Sequence, residues 1–200
     1  MKHSFKIDFS RQLNAINDSP RGDIYEWLIC PGMDFNASVK WWGDQAARKT
    51  PHEGLDLVFF KNDAGKVIHL NEKYRIPALF DGEIIVCFND FLGKTMVFRH
   101  GQYHENSRVL CSMFGHVNPI VELSRRKTVS EGEPVAVVAN VDRQDICTHL
   151  HISLGWVPGN RIDQLADWEK IASPEFIRLI DPVNLVGNIS KVNRSVLFPE

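Results

Sequence analysis

The stretch Cys147-Thr148-His149-Leu150-His151-Ile152-Ser153-Leu154 sets two histidines two residues apart inside an apolar, β-branched run. Residues i and i+2 of a strand point to the same face. His149 and His151 should therefore project side by side, with Leu150 and Ile152 turned into a core. Two imidazoles held on a rigid strand suit metal binding and proton transfer. A bare His-x-His pattern is also compatible with an ordinary strand, so its meaning depends on what else the chain supplies.

Upstream, His52-Glu53-Gly54-Leu55-Asp56 places an imidazole and a carboxylate four residues apart. His52, Asp56 and one later histidine would supply two neutral nitrogens and one anionic oxygen. That set leaves a fourth position open for water, the pattern of a catalytic zinc site. The same residues could be read as a damaged His-Glu-x-x-His helix with Glu53 as base. Gly54 and the run Leu55-Asp56-Leu57-Val58-Phe59-Phe60, stopped by a turn, favour a loop entering a strand instead, and leave Glu53 an exposed bystander. Another histidine, His116, ends the run from Val109. Alternation puts Leu110, Ser112, Phe114 and His116 on one face of that strand.

The rest of the chain reads as short strands. Phe5, Ile7 and Phe9 alternate with polar residues. A loop over 17–23 leads to a strand from Ile24 to Cys30, closed by Pro31-Gly32. No period dominates from Met33 to Pro51, where Trp41-Trp42 either pack on the domain or wall a substrate groove. Strands are expected over 55–60, 66–70, 76–80, 83–88, 95–100, 108–117, 134–139 and 149–154, with a hairpin turn at Asn62-Asp63-Ala64-Gly65. The tail changes character. Ile162 to Glu169 has partly helical spacing, and Ser173-Pro174-Glu175 starts a helix that Asp181-Pro182 ends.

Composition bounds the answer. The 200 residues carry a formal net charge of −2, which speaks for neither nucleic acid nor an anionic membrane as partner. No apolar run approaches the ~20 residues of a membrane span. The N-terminus has no h-region, so no export signal is read and a cytoplasmic location stays open. Cys30, Cys87, Cys111 and Cys147 are widely spaced and read as reduced, mostly buried thiols.

His52-x-Gly54-x-Asp56, Phe114-Gly115-His116 and His149-Leu150-His151 follow in the order and approximate spacing of lysostaphin-type zinc metalloendopeptidases. Over roughly residues 50–156 the chain resembles that family. The run 76–84, the segment 128–135 and the tail 176–182 resemble its other landmarks. The resemblance implies a mainly β fold, an antiparallel β-sheet groove or hybrid β-sandwich built on a duplicated motif, with short helices in the C-terminal tail. It implies one domain, in which residues 1–50 flank the groove, 51–156 form the peptidase core and 157–200 extend it. It also implies a hydrolase that uses Zn²⁺ to cut peptide bonds of cell-wall peptidoglycan, located in the envelope or secreted.

Carried over by position, the resemblance makes His52, Asp56 and His151 the zinc ligands. His116 and His149 become the groups that orient or deprotonate water and stabilise the oxyanion. The run 142–148 and Phe114 depart from the family's usual Gly/Pro and Tyr, which bears on groove shape. His100 is read as structural, and His3, His69 and His104 receive no role. Two other readings compete. One is a non-catalytic binding or regulatory module on the same fold, and the other a phosphocarrier-type barrel, against which Asp56 argues.

Overall fold

β-Branched and aromatic runs broken by Asn, Asp and Gly turns become strands, and here they form two sheets. The computed structural model describes residues 7–18, 21–124 and 126–198. In chain order it contains α1 (Phe9–Ile16), β1 (Ile24–Ile29), β2 (Leu55–Leu57), β3 (Phe59–Asn62), β4 (Val67–His69) and β5 (Arg75–Pro77). There follow β6 (Gly82–Asn89), β7 (Lys94–Glu105), β8 (Arg108–Pro119), β9 (Thr128–Val129), β10 (Pro134–Val138) and β11 (Leu150–Pro158). The tail holds α2 (Trp168–Ile171), β12 (Arg178–Ile180), β13 (Ile189–Lys191) and α3 (Arg194–Leu197), with 3₁₀ turns at Ile162–Gln164 and Pro182–Leu185.

The larger sheet runs β12-β11-β8-β7-β6-β9, and its pairs are antiparallel. β2 also pairs with β11, and β10 bridges β8 and β5. The smaller sheet has the order β13-β1-β3-β4, antiparallel except for the parallel β1–β13 pair. The fold is mainly β with antiparallel sheets and a few short helices.

One face of the large sheet sends Leu110 and Phe114 of β8 and Leu150, Ile152 and Leu154 of β11 into a core shared with Trp27 and Phe60 of the small sheet. Each such fully buried side chain contributes about 1.5–3 kcal/mol. The opposite face, with Val97, Cys111, Met113 and Val157, is covered by Ile162, Leu165, Ile171 and Ile177 from the tail. The cysteines are free thiols; Cys30 and Cys111 are buried.

Three sequence expectations need correction. The strand expected at residues 5–9 does not form at its described end. Residues 5 and 6 lie outside the described residues, and Phe9 opens α1, capped by Asp8, whose carboxylate accepts the Arg11 N–H at 3.1 Å. Phe9 and Leu13, four apart, are the buried pair, so the helical period wins over a short alternation. The helix expected from Ser173 is replaced by a turn and by β12, because Ile177 packs against Gly155 and Arg178–Ile180 pairs with the edge of β11. The strand expected over 55–60 is two strands. β2 belongs to the large sheet and β3 to the small one, with the change at Val58.

Candidate metal centre

The change of sheet at Val58 brings the His52–Asp56 segment against β11. Asp56 pairs with His151 in register, and Gly115 of β8 sits on the other side of His151. Gly54 makes the approach possible. A Cβ there would lie 2.1 Å from the Ile152 carbonyl oxygen and 2.7 Å from His151 Nε2 and Ser153 Oγ. His52 enters from the loop before β2, so three separate pieces of backbone meet at one point. His52, Asp56 and His151 are all buried, and one ligand-capable atom from each lies within 4.8 Å of the others, a group that could hold a metal ion.

Hydrogen bonds assign the free atoms. His52 Nδ1 lies 2.9 Å from the Asp34 carbonyl, which can only accept, so Nδ1 carries the proton and Nε2 the lone pair. That Nε2 is 3.2 Å from His151 Nδ1 and 3.3 Å from Asp56 Oδ2. His151 Nδ1 is 2.8 Å from Asp56 Oδ1. On its far side His151 Nε2 meets the Ser153 hydroxyl at 2.7 Å, an acceptor that lets the proton reside on Nε2 and frees Nδ1. Asp56 Oδ2 accepts from Trp41 Nε1–H at 2.7 Å, and an Arg48 nitrogen is 3.8 Å away.

The electrostatics follow from burial and from that crowding. Burial alone would push the Asp56 carboxyl up. The imidazoles of His52 and His149, with hydrogen bonds from His151 and His52, outweigh it and hold the group well below the usual carboxylate range. At His52 burial works against the charged ring, but Asp56 wins and the pKa is raised. At His151 burial wins over Asp56 and the pKa is lowered.

His149 stands just before β11. Its Nδ1–H donates to the Cys147 carbonyl at 2.8 Å, and its Nε2 is 3.8 Å from Asp56 Oδ1. Burial pushes its pKa down to about 3, against the pull of Asp56, so the ring is neutral at pH 7. His116 reaches the same place by a backbone device. Register pairs His151 with Gly115, so simple alternation would put His116 on the opposite face. An irregularity between Lys94 and Met96 in the β7–β8 register and a φ of 61° at His116 turn the ring back. Its centroid is 4.7 Å from that of His149 and 6.0 Å from that of His151.

Sequence reasoning missed Asp90. Its Oδ1 accepts from Leu92 N and Gly93 N, each at 2.8 Å, and lies 3.1 Å from His116 Nδ1. Its Oδ2 accepts from Thr95 Oγ1 at 2.8 Å and from His116 N at 3.0 Å. Burial raises the Asp90 carboxyl, but the bonds from His116 overcome it and the net shift is strongly downward. The Asp90-Phe91-Leu92-Gly93 pattern announces a turn, but nothing local says that the same carboxylate grips His116.

A cavity of about 200 Å³ opens over these groups, lined by His52, His116, His149 and His151 with Trp42, Phe91 and Trp168, and by Arg48 and Glu53. Glu53 is therefore a half-buried cavity residue bonded to Thr50 at 3.0 Å, not an exposed bystander. Trp42 lines the cavity, whereas Trp41 lies beneath it. Phe114 is core, stacked on Phe9. His100 is buried between the Asp81 carbonyl and Ser112 Oγ, a structural histidine. His69 bonds the Thr148 carbonyl, His104 lies in a separate concavity, and His3 lies outside the described residues.

No protein-family model and no curated protein matches the chain. Several solved structures align with it, two of them as follows. One is a mutant catalytic domain of the prophage-encoded M23 protein EnpA from Enterococcus faecalis, with TM-score 0.41 and 15% identity over 70% of this chain and 83% of that one. The other is LytU, with TM-score 0.40 and 19% identity over 73% of this chain and 90% of that one. Likeness of this degree says nothing about chemistry; the residues above do.

Proposed function

We propose that this chain is a zinc-dependent endopeptidase that hydrolyses peptide bonds of bacterial cell-wall peptidoglycan. The observation that carries the reading is the convergence of His52 Nε2, Asp56 and His151 Nδ1 beneath a cavity that two further imidazoles also line. Their remaining donor sites are engaged: His52 Nδ1 by a carbonyl, His151 Nε2 by a hydroxyl and Asp56 Oδ2 by an indole. Two nitrogens and one oxygen with an open side fit zinc. Bound there, the ion supplies Lewis acidity that brings the pKa of a water to about 7. The resemblance in motif order names peptidoglycan peptides as substrate.

The flanking histidines divide the proton work. Neutral His149, its Nδ1–H tied to Cys147, offers the Nε2 lone pair and orients the attacking water by accepting its hydrogen. His116, its Nδ1–H bound to the Asp90 carboxylate, takes and returns the proton at Nε2. When protonated there, it stabilises the developing oxyanion of the substrate and then donates to the leaving amine. Trp42, Phe91 and Trp168 supply apolar walls for the peptide.

Purified protein should bind about one zinc per chain and, so loaded, cleave defined wall peptides. Asp56→Ala should lose the metal, whereas His116→Ala and His149→Ala should keep it and lose about 10²- to 10⁴-fold in kcat. Wild-type activity in His149→Ala would falsify the mechanism, and a His116→Ala protein without zinc would mean that the ligands are misassigned.

A further inference from the structure

We propose that Trp41 is a positioning residue for the metal ligand Asp56, and that the chain's last helix clamps it, so that both end segments are working parts of the metal centre. This rests on the zinc reading above. Trp41 lies in the irregular segment between β1 and β2, yet its indole is only 1% exposed. Apolar burial would explain a Phe equally well. The nitrogen is what needs a reason, and its partner is a metal ligand: Nε1–H donates to Asp56 Oδ2 at 2.7 Å.

An indole N–H can only donate. It therefore takes one lone pair of Oδ2 while Oδ1 faces His151 Nδ1 at 2.8 Å, which fixes the orientation of the carboxylate that would hold the metal. The same ring stands edge-on to His149, centroids 5.1 Å apart at 88°. One side chain thus fixes a ligand and abuts the histidine that orients water.

The indole is itself held from behind. Phe198 stacks on it at 5.9 Å and 21°, and Phe59 of β3 closes on Phe198 at 5.4 Å. Arg194, in α3, donates from Nε to the Trp41 carbonyl at 3.2 Å and lays its guanidinium over Phe198 at 4.8 Å. On the other side Gly32, at φ 98°, packs so close that a Cβ would come within 2.6 Å of Trp41 N. Arg48 pins the loop to the Val39 and Gly32 carbonyls, each at 3.1 Å. Withdrawing this segment would strip a buried carboxylate oxygen of its donor.

The test is zinc affinity by chelator competition, measured beside the melting temperature of the zinc-free protein, for wild type, Trp41→Phe and Phe198→Ala. Loss of a hydrogen bond to a metal-bound carboxylate weakens binding about 10- to 100-fold. Trp41→Phe should show that loss while its zinc-free melting temperature stays near wild type; a packing role alone would move the melting temperature and leave the affinity. Phe198→Ala, which keeps the indole but frees it, should weaken zinc in the same direction by a smaller factor. Folded Trp41→Phe with wild-type affinity overturns the proposal, as does unchanged affinity in Phe198→Ala should Trp41→Phe fail to fold. Wild type that takes up no zinc overturns the metal-centre reading itself, which separates the two failures.

Discussion

At the scale of single residues, the site turns on which nitrogen of each imidazole is tied down. A carbonyl takes the Nδ1–H of His52 and of His149, and a carboxylate takes that of His116. All three rings then present Nε2, while His151 presents Nδ1. The His116 arrangement has the logic of an acid that holds a catalytic histidine in one tautomer and orientation. Asp90→Asn tests it, because the amide keeps an oxygen for the turn N–H groups but replaces the charge. We expect kcat to fall roughly 10²-fold or more with zinc content unchanged. An unchanged kcat would reduce Asp90 to a turn-former.

At the scale of elements, the site depends on one strand exchange and one irregularity. Side-chain alternation made the pairing of His149 with His151 legible, and the turn residues marked the strand ends. The β2–β3 division was not legible, because apart from Asp56 the run from Leu55 to Phe60 is apolar and either sheet could bury it. Only the partners decide: Leu57 faces Leu150, while Phe60 faces Trp27. The turn at His116 was equally hidden, since a bulge arises from the register of two strands and not from the composition of one. Helix α1 and strand β12 were misread where a short local pattern competed with packing. Gly54 is the residue on which the exchange depends. Gly54→Ala puts a methyl group against the Ile152 carbonyl in a place with no room. Overpacking of this kind costs roughly 1–3 kcal/mol. Urea denaturation of the zinc-free protein should show a lower midpoint, and zinc affinity should fall with it as Asp56 is pushed from His151. A wild-type midpoint would mean that β2 stands off from β11 more than its register implies.

At the scale of the whole molecule, burying so many histidines makes stability a function of pH. Burial pushes His149 down to about 3 and His100 down to about 4, whereas an unfolded chain protonates them near 6.5. Between these values the unfolded state binds more protons, so stability falls as pH drops below about 6.5. Each such group gives a slope of about 1.4 kcal/mol per pH unit, and two give about 2.7. His52 runs the other way. Its raised pKa gives a stabilisation that is complete below 6.5 and lost as pH rises past the raised value, so it adds nothing to the acid slope. The lowered carboxyls of Asp56 and Asp90 act lower still: their contribution is full above about 4 and disappears as pH falls through their depressed values. His151, also lowered by burial, acts in the same direction as His149 and His100, so zinc-free protein should unfold in acid before the ordinary carboxylates titrate, with a net uptake of protons between pH 6 and 4. His100 lies away from the metal centre, bonded to the Asp81 carbonyl and Ser112, and isolates one of these contributions. In His100→Gln the stability read from urea midpoints at successive pH values should change less steeply, even if the variant starts from a lower value. A slope equal to wild type would show that His100 stays protonated in the folded chain, and the acid sensitivity would then belong to the metal-centre histidines alone.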